Sequence, residues 1–271
     1  MPDIAVFGRY RPGESPLHRM DPRAKLVLSL AFMVIVFCAQ TPLGLAVCAA
    51  FAVGFFALAR IPLGAGLRSI GPLAFIVVLT ALLNILFVQG GQVYFQWWII
   101  EVSQKGLESA GFIGCRLLLL LLGMSLLTLT TTTLDITDAF ERLLVPFARF
   151  GVPAHELGMM MGIALRFLPQ FMFELKTIYQ AQISRGATIT ANPFKGGLSI
   201  IGSLVVPLFT SAFRHAETLS AAMEARCYHG GPGRTRLAPL KCTALDRNAV
   251  LVLAVMLAAV IATNFAPLAL P

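Results

Sequence analysis

Apolar residues in this chain come in long runs, and the charges lie between the runs. Residues 26–59 hold no charge at all. As one helix at 1.5 Å per residue they would reach about 50 Å, well beyond a hydrocarbon core near 30 Å. Gln40-Thr41-Pro42 divides the run, because proline disfavours helix at the residue before it. Two spans are therefore expected, at about 24–40 and 43–59. Arg60-Ile61-Pro62, Gly64, Gly66 and Arg68 read as the next loop. Further spans are expected at about 70–88, 109–130 and 248–268. Between the third and fourth, Gly90-Gly91, Trp97-Trp98, Glu101 and Lys105 read as an external loop with interfacial aromatics. Arg116 is the one charge of the fourth span, close enough to its outer end to snorkel. Thr130–Thr133 reads as the interfacial end of that span.

The stretch 134–246 has a different pattern. It is too apolar for a free soluble domain and too charged for plain spans. Asp138 and Glu141 resemble a capping box, followed by a stripe of Phe140, Leu143, Leu144, Phe147 and Phe150 that Gly151-Val152-Pro153 ends. A helix over about 154–185 carries Leu157, Met161, Ala164, Leu168, Phe171, Leu175 and Ile178 at alternating steps of four and three, an apolar seam. Arg166, Gln170, Glu174, Thr177 and Gln180 lie off that seam, and Pro169 predicts a kink. After a turn at 191–197, a helix over about 198–228 contains Pro207 and adds Leu219 and Ala222 to the apolar set. Its first part, 198–212, is uncharged but short for a full span. Gly230-Gly231-Pro232-Gly233 stops this helix, and Arg234, Arg236 and Lys241 form a basic loop.

Composition fits a membrane protein: 57% of the 271 residues are hydrophobic and 13% charged, about half the charged share of soluble domains. The net charge of +8 is a topology signal rather than a sign of nucleic-acid binding, since no DNA- or RNA-binding motif accompanies it. Nineteen of the 21 Lys and Arg fall in the N-terminal tail, the 60–71 loop and 131–247. That bias places the N-terminus in the cytoplasm, and five spans then place the C-terminus outside. The first 25 residues hold no apolar signal-peptide core. The five cysteines form no C-x-x-C pair and no two of the four histidines are spaced i, i+4, so no metal site is expected. No Walker A pattern exists, so the chain is not itself an ATPase. A catalytic set built on Thr130–Thr133, Asp135 and Asp138 lacks a nucleophile–base pair, so no enzyme is expected.

Two helix ends echo one another at an offset of 41 residues. Thr177-Ile178, Ala181 and Ser184-Arg185-Gly186 parallel Thr218-Leu219, Ala222 and Ala225-Arg226-Cys227. Each helix finishes small–Arg–small. One reading is two ordinary C-termini, where Arg suits the helix dipole and Gly the cap. The other is a pair of plugs whose guanidinium groups bind carboxylates or carbonyls in narrow grooves.

These stretches resemble the transmembrane T component of energy-coupling factor (ECF) type ABC transporters. Ser15-Pro16-Leu17-His18-Arg19-Met20-Asp21-Pro22-Arg23-Ala24-Lys25-Leu26 is similar to that family's entry sequence. Ala164-Leu165-Arg166-Phe167-Leu168-Pro169 with Gln182-Ile183-Ser184-Arg185-Gly186-Ala187 resembles its first coupling helix and Ala-Arg-Gly signature. Ala222-Met223-Glu224-Ala225-Arg226-Cys227-Tyr228 resembles the second. Ser184 and Cys227 depart from the family's Ala and Gly, and Cys227 makes a left-handed cap more costly. The resemblance implies an all-α integral membrane protein with about five transmembrane helices and a cytoplasmic coupling region. Its parts are a tail at 1–25, four spans in 26–133, coupling helices in 134–246 and a last span in 247–271. It implies that two ABC ATPase subunits dock on Ser184, Arg185, Gly186, Ala225, Arg226 and Cys227. It further implies that the seam of Leu157, Met161, Ala164, Leu168, Phe171, Leu175, Leu219 and Ala222 holds the coupling helices and a small S component. The implied role is non-catalytic uptake of a vitamin or metal ion across the cell membrane. The ATPases use ATP and Mg, and this chain binds no cofactor. An autonomous secondary transporter or channel is the alternative.

Overall fold

The structure is a computed structural model, and it describes residues 10–90, 92–97, 100–151, 153–186, 197–230 and 243–265. The chain forms two compact units, residues 1–139 with 238–271, and 140–237.

The first unit is a helical bundle. A short α1 (Pro16–Arg19) precedes α2 (Pro22–Cys38), α3 (Pro42–Ala59), α4 (Leu63–Phe87), α5 (Gln104–Thr130) and α9 (Ala244–Phe265). Four of these, α3, α4, α5 and α9, are long and apolar enough to cross a membrane. At 17 residues α2 is shorter, about 25 Å of helix. Its core forms where α2, α3, α5 and α9 meet, around Phe32, Val36, Cys48, Leu119, Met256 and Val260. A second cluster joins Phe56 and Ile61 to Ile70, Leu122 and Leu129. The C-terminal half of α4 presents Phe75, Ile76, Val78 and Leu82 on an exposed apolar surface, as expected of a helix whose solvent is lipid.

Unpaired backbone groups are costly in hydrocarbon, and side chains close the turns here. At the predicted break, Thr41 caps α3 by accepting the Gly44 N–H (3.1 Å), and Pro42 takes the first helical position. From α9, Asn264 donates to the Cys38 carbonyl (2.8 Å) and accepts from the Gln40 N–H (3.1 Å). Arg116 reaches the α2–α3 turn: its guanidinium donates to the Ala39 carbonyl and lies over the Phe112 ring (4.6 Å). At the other end, buried Asp246 accepts from the Asp21 N–H (3.1 Å) and from the Thr243 N–H (2.6 Å) and hydroxyl (3.0 Å). Lys25 donates to the carbonyls of His18 and Thr130, each at 3.1 Å. The entry sequence is thus the part that ties α2, α5 and α9 together.

Three sequence expectations change. The 60–71 loop shrinks to Arg60-Ile61-Pro62, because α4 starts at Leu63 and takes Arg68 into its first turns. The expected external loop is a short antiparallel hairpin, Val93–Trp97 paired with Ile100–Ser103; Gly91 and Trp98 lie outside the described residues. Ser103 accepts the Gly106 N–H (3.2 Å), so α5 begins five residues earlier than the charge pattern indicates.

A further helix, α6 (Thr133–Leu144), continues as a 3-10 turn, Val145–Phe150, ended by Gly151 in the left-handed region (φ 85°). Its cap is not Asp138 with Glu141. Thr132 accepts the Asp135 N–H (3.2 Å) and donates to the Asp135 carboxylate (2.7 Å), so the cap lies at Thr132, ahead of Asp138. In the second unit Glu141 pairs with His155 (3.3 Å). It also fills the space where a side chain at Gly158 would stand.

Removing the Asp246 carboxylate leaves the buried Asp21 N–H unpaired and strips the start of α9 of its bonds to Thr243. Asp246→Ala is therefore expected to cost about 2 kcal/mol, read as a lower thermal midpoint of the full chain in detergent.

Candidate functional site

The second unit is built on two long helices, α7 (Ala154–Ser184) and α8 (Gly197–Ala225). Their packing is antiparallel. As the contacts on α7 advance from Gln170 through Glu174 to Gln182, their partners on α8 retreat from His215 through Ser211 to Ser203. Beyond the end of α8, the Tyr228 hydroxyl reaches the Met159 sulfur at 3.0 Å. The two helix C-termini consequently point away from each other.

Both ends have the same local form. In α7, Arg185 is the C-cap (φ −83°, ψ 5°) and Gly186 follows with φ 82°. The Gly186 N–H donates to the Ile183 carbonyl (2.9 Å). In α8, Arg226 is followed by Cys227 with φ 55°. The Cys227 N–H donates to Glu224 (2.9 Å) and the Tyr228 N–H to Met223 (3.0 Å), the paired bonds of a Schellman cap. Cys227 thus takes the glycine conformation despite its Cβ. Ser184, Arg185, Gly186, Ala225, Arg226 and Cys227 are all exposed. The caps engage the main chain around each arginine, and both arginine side chains are exposed at the helix end. An arginine so placed offers a planar fork of donors to carboxylates or carbonyls of another surface.

The expected seam is only half-buried. Leu157, Leu168, Phe171, Leu175 and Leu219 are partly covered, while Met161, Ala164 and Ala222 are exposed. The α7–α8 contact also uses residues set aside from the seam. Glu174 accepts from the Ser211 hydroxyl (2.7 Å), and its carboxylate lies 2.6 Å from His215 Nε2. Gln170 Nε2 is 3.1 Å from the same ring nitrogen and donates to Glu174 (3.3 Å). Phe167 stacks on the His215 ring (5.8 Å between centroids, 21°), with Phe171 at 6.0 Å. Sequence reading missed this cluster because its polar members sit off the apolar stripe. The signal that was present is Gln170 with Glu174 and Ser211 with His215, each pair four residues apart on one face.

The Ser211 hydroxyl and the His215 ring hold the Glu174 carboxyl below the ordinary glutamate range, against burial that raises it. Among the described residues no three His, Cys, Asp or Glu side chains gather as a metal-binding group. The turn at 191–196 and the basic loop with Arg234, Arg236 and Lys241 lie outside the described residues.

The family model for CbiQ, described as a cobalt transport protein, matches residues 13–237. Among curated relatives, the energy-coupling factor transporter transmembrane protein EcfT of Bacillus subtilis is 42% identical over 258 residues, 95% of this chain and 97% of the relative. The protein of the same name from Brevibacillus brevis is 43% identical over 259 residues, covering 96% and 97%. That of Thermosediminibacter oceani is 44% identical over 241 residues, covering 89% and 91%.

Two predictions follow from the caps and the cluster. A non-glycine residue in the left-handed region costs about 1 kcal/mol, so Cys227→Gly is expected to hold or raise the thermal midpoint and Cys227→Val to lower it. Because the native pKa of Glu174 is depressed, its contribution to stability is present above the unfolded value of about 4.3 and is lost as pH falls through the native value. Glu174→Gln should therefore melt below wild type at pH 7, with the gap closing as the pH is taken below 4.

Proposed function

The chain belongs to the CbiQ family, among the transmembrane components of energy-coupling factor transporters, and on that premise we propose that it passes the ATP-driven motion of two ABC ATPase subunits to a substrate-capturing S component. The observation that carries this reading is the pair of matching Arg tips. Two similar sockets, one on each ATPase subunit, call for two similar plugs, and Arg185 and Arg226 end exposed helices in the same backbone form. A single tip would suit many partners, whereas a matched pair suits a duplicated one.

The remaining assignments follow from the same role. The chain is non-catalytic, and ATP and Mg belong to the ATPases. The exposed apolar faces, including the C-terminal half of α4 and the half-buried seam of α7 and α8, serve lipid and a small membrane S component. The chain resides in the cell membrane, and the distribution of Lys and Arg favours an N-terminus in the cytoplasm with α2 as a fifth, short span. The cargo is a vitamin or a metal ion chosen by the S component.

An autonomous secondary transporter or channel has less to rest on. Such proteins place polar groups or broken helices along a path at mid-membrane. Here the amide of Asn84 donates to the Thr80 carbonyl of its own helix (2.9 Å), and Arg116 is engaged in closing a turn.

Co-expression with the ATPase subunits supplies the test. Arg185→Glu combined with Arg226→Glu is expected to abolish their co-purification while the chain still inserts in the membrane. Undiminished co-purification contradicts the reading.

A further inference from the structure

The 41-residue echo extends beyond the Arg tips into the contact between the two helices. The same offset that takes Arg185 to Arg226 takes Gln170 to Ser211 and Glu174 to His215. These four residues meet in one cluster. Exchanging equivalent positions turns the Glu174–Ser211 hydrogen bond (2.7 Å) into the His215–Gln170 contact (3.1 Å). It turns the Glu174–His215 contact (2.6 Å) into itself. The cluster therefore sits on a local two-fold axis relating α7 to α8. Glu174 stands 11 residues before Arg185, and His215 stands 11 residues before Arg226, about 16 Å of helix on each side. The tips are therefore equidistant from the cluster and point in opposing directions.

We propose that the ring of Gln170, Glu174, Ser211 and His215 is a positioning fulcrum, which fixes the crossing of α7 and α8 and so presents the two Arg tips at one set spacing. Apolar ridge-into-groove packing alone leaves two helices more than one register and crossing class. On the axis Ser211, His215 and Gln170 all donate to the Glu174 carboxylate, and these directional bonds favour one register and one angle. Phe167 and Phe171 add a stacked wall that holds the His215 ring in its orientation. Load applied at one tip then reaches the other through a joint that does not creep. The four side chains act through the tips and touch no substrate.

This inference rests on the coupling role above, and its test separates the two. Spin labels go at Tyr179→Cys and Ser220→Cys, equivalent exposed positions six residues before each Arg. The parent chain has Cys38, Cys48, Cys115 and Cys242 changed to Ala and Cys227 to Gly. Pulsed EPR on the full chain in lipid nanodiscs reads the spread of label-to-label distances. ATP hydrolysis by its complex with the two ATPase subunits reads the consequence. Glu174→His and His215→Glu alone each break the ring and are expected to broaden the distances at least twofold and to slow hydrolysis at least fivefold. The double exchange, Glu174→His with His215→Glu, rebuilds the axial contact. It should narrow the distances again and bring hydrolysis to within threefold of the parent, short of full recovery because the new histidine lacks the Phe167 stack.

Single variants as narrow as the parent, or an exchange as broad as the singles, overturn the fulcrum. So do single variants that hydrolyse ATP at the parent rate while Arg185→Glu slows it. If Arg185→Glu with Arg226→Glu leaves hydrolysis unchanged, the coupling role itself fails, and the distance widths alone decide the fulcrum.

Discussion

The antiparallel contact of α7 with α8 is the constraint on which the proposed function depends. Two helices that each end in an arginine become a matched pair only if something fixes them relative to one another. Antiparallel packing sends the tips in opposing directions, and the hydrogen-bonded ring at the crossing defines the register. The caps then repeat the same backbone form at both ends, even though one uses Gly186 and the other Cys227. That a residue with a Cβ tolerates φ 55° at the second tip means that the turn outweighs a local cost of about 1 kcal/mol. The main-chain bonds of Cys227 and Tyr228 to the last turn of α8 supply that compensation.

The bundle of the first unit answers a different demand. In hydrocarbon every backbone group needs a partner, and chain turns are where partners are missing. Asn264, Arg116 and Thr41 satisfy the α2–α3 turn, while Asp246 and Lys25 join the entry sequence to α9 and α5. These polar groups are few, and each holds together elements distant in sequence. Between them the contact surface is apolar, with Val36, Cys48, Met256 and Val260 fully enclosed.

Much of this was legible in the sequence. Charge-free runs and Pro42 located α2 and α3, and the heptad-like spacing from Leu157 onward located α7. Helix boundaries were less legible where a cap outweighed composition. Thr132 rather than Asp138 starts α6, and Ser103 starts α5 ahead of Lys105. The Arg tips were visible because they are local and repeated. The ring between them was not, because pairing residues 170 and 174 with 211 and 215 requires the tertiary register. Arg116 shows the same limit: its position in the run was plain, but its partner, the Ala39 carbonyl, is 77 residues away.

Site-specific photo-crosslinking tests the central claim most directly. A photoreactive amino acid at Ser184, and separately at Ala225, sits beside each arginine on the exposed face of its tip. In membranes containing the full transporter, the account predicts that each position forms an adduct with an ABC ATPase subunit. It also predicts that the equivalently exposed Ser220, six residues back from the second tip, forms none. Adducts from only one tip, or adducts from Ser220 in equal yield, would contradict it.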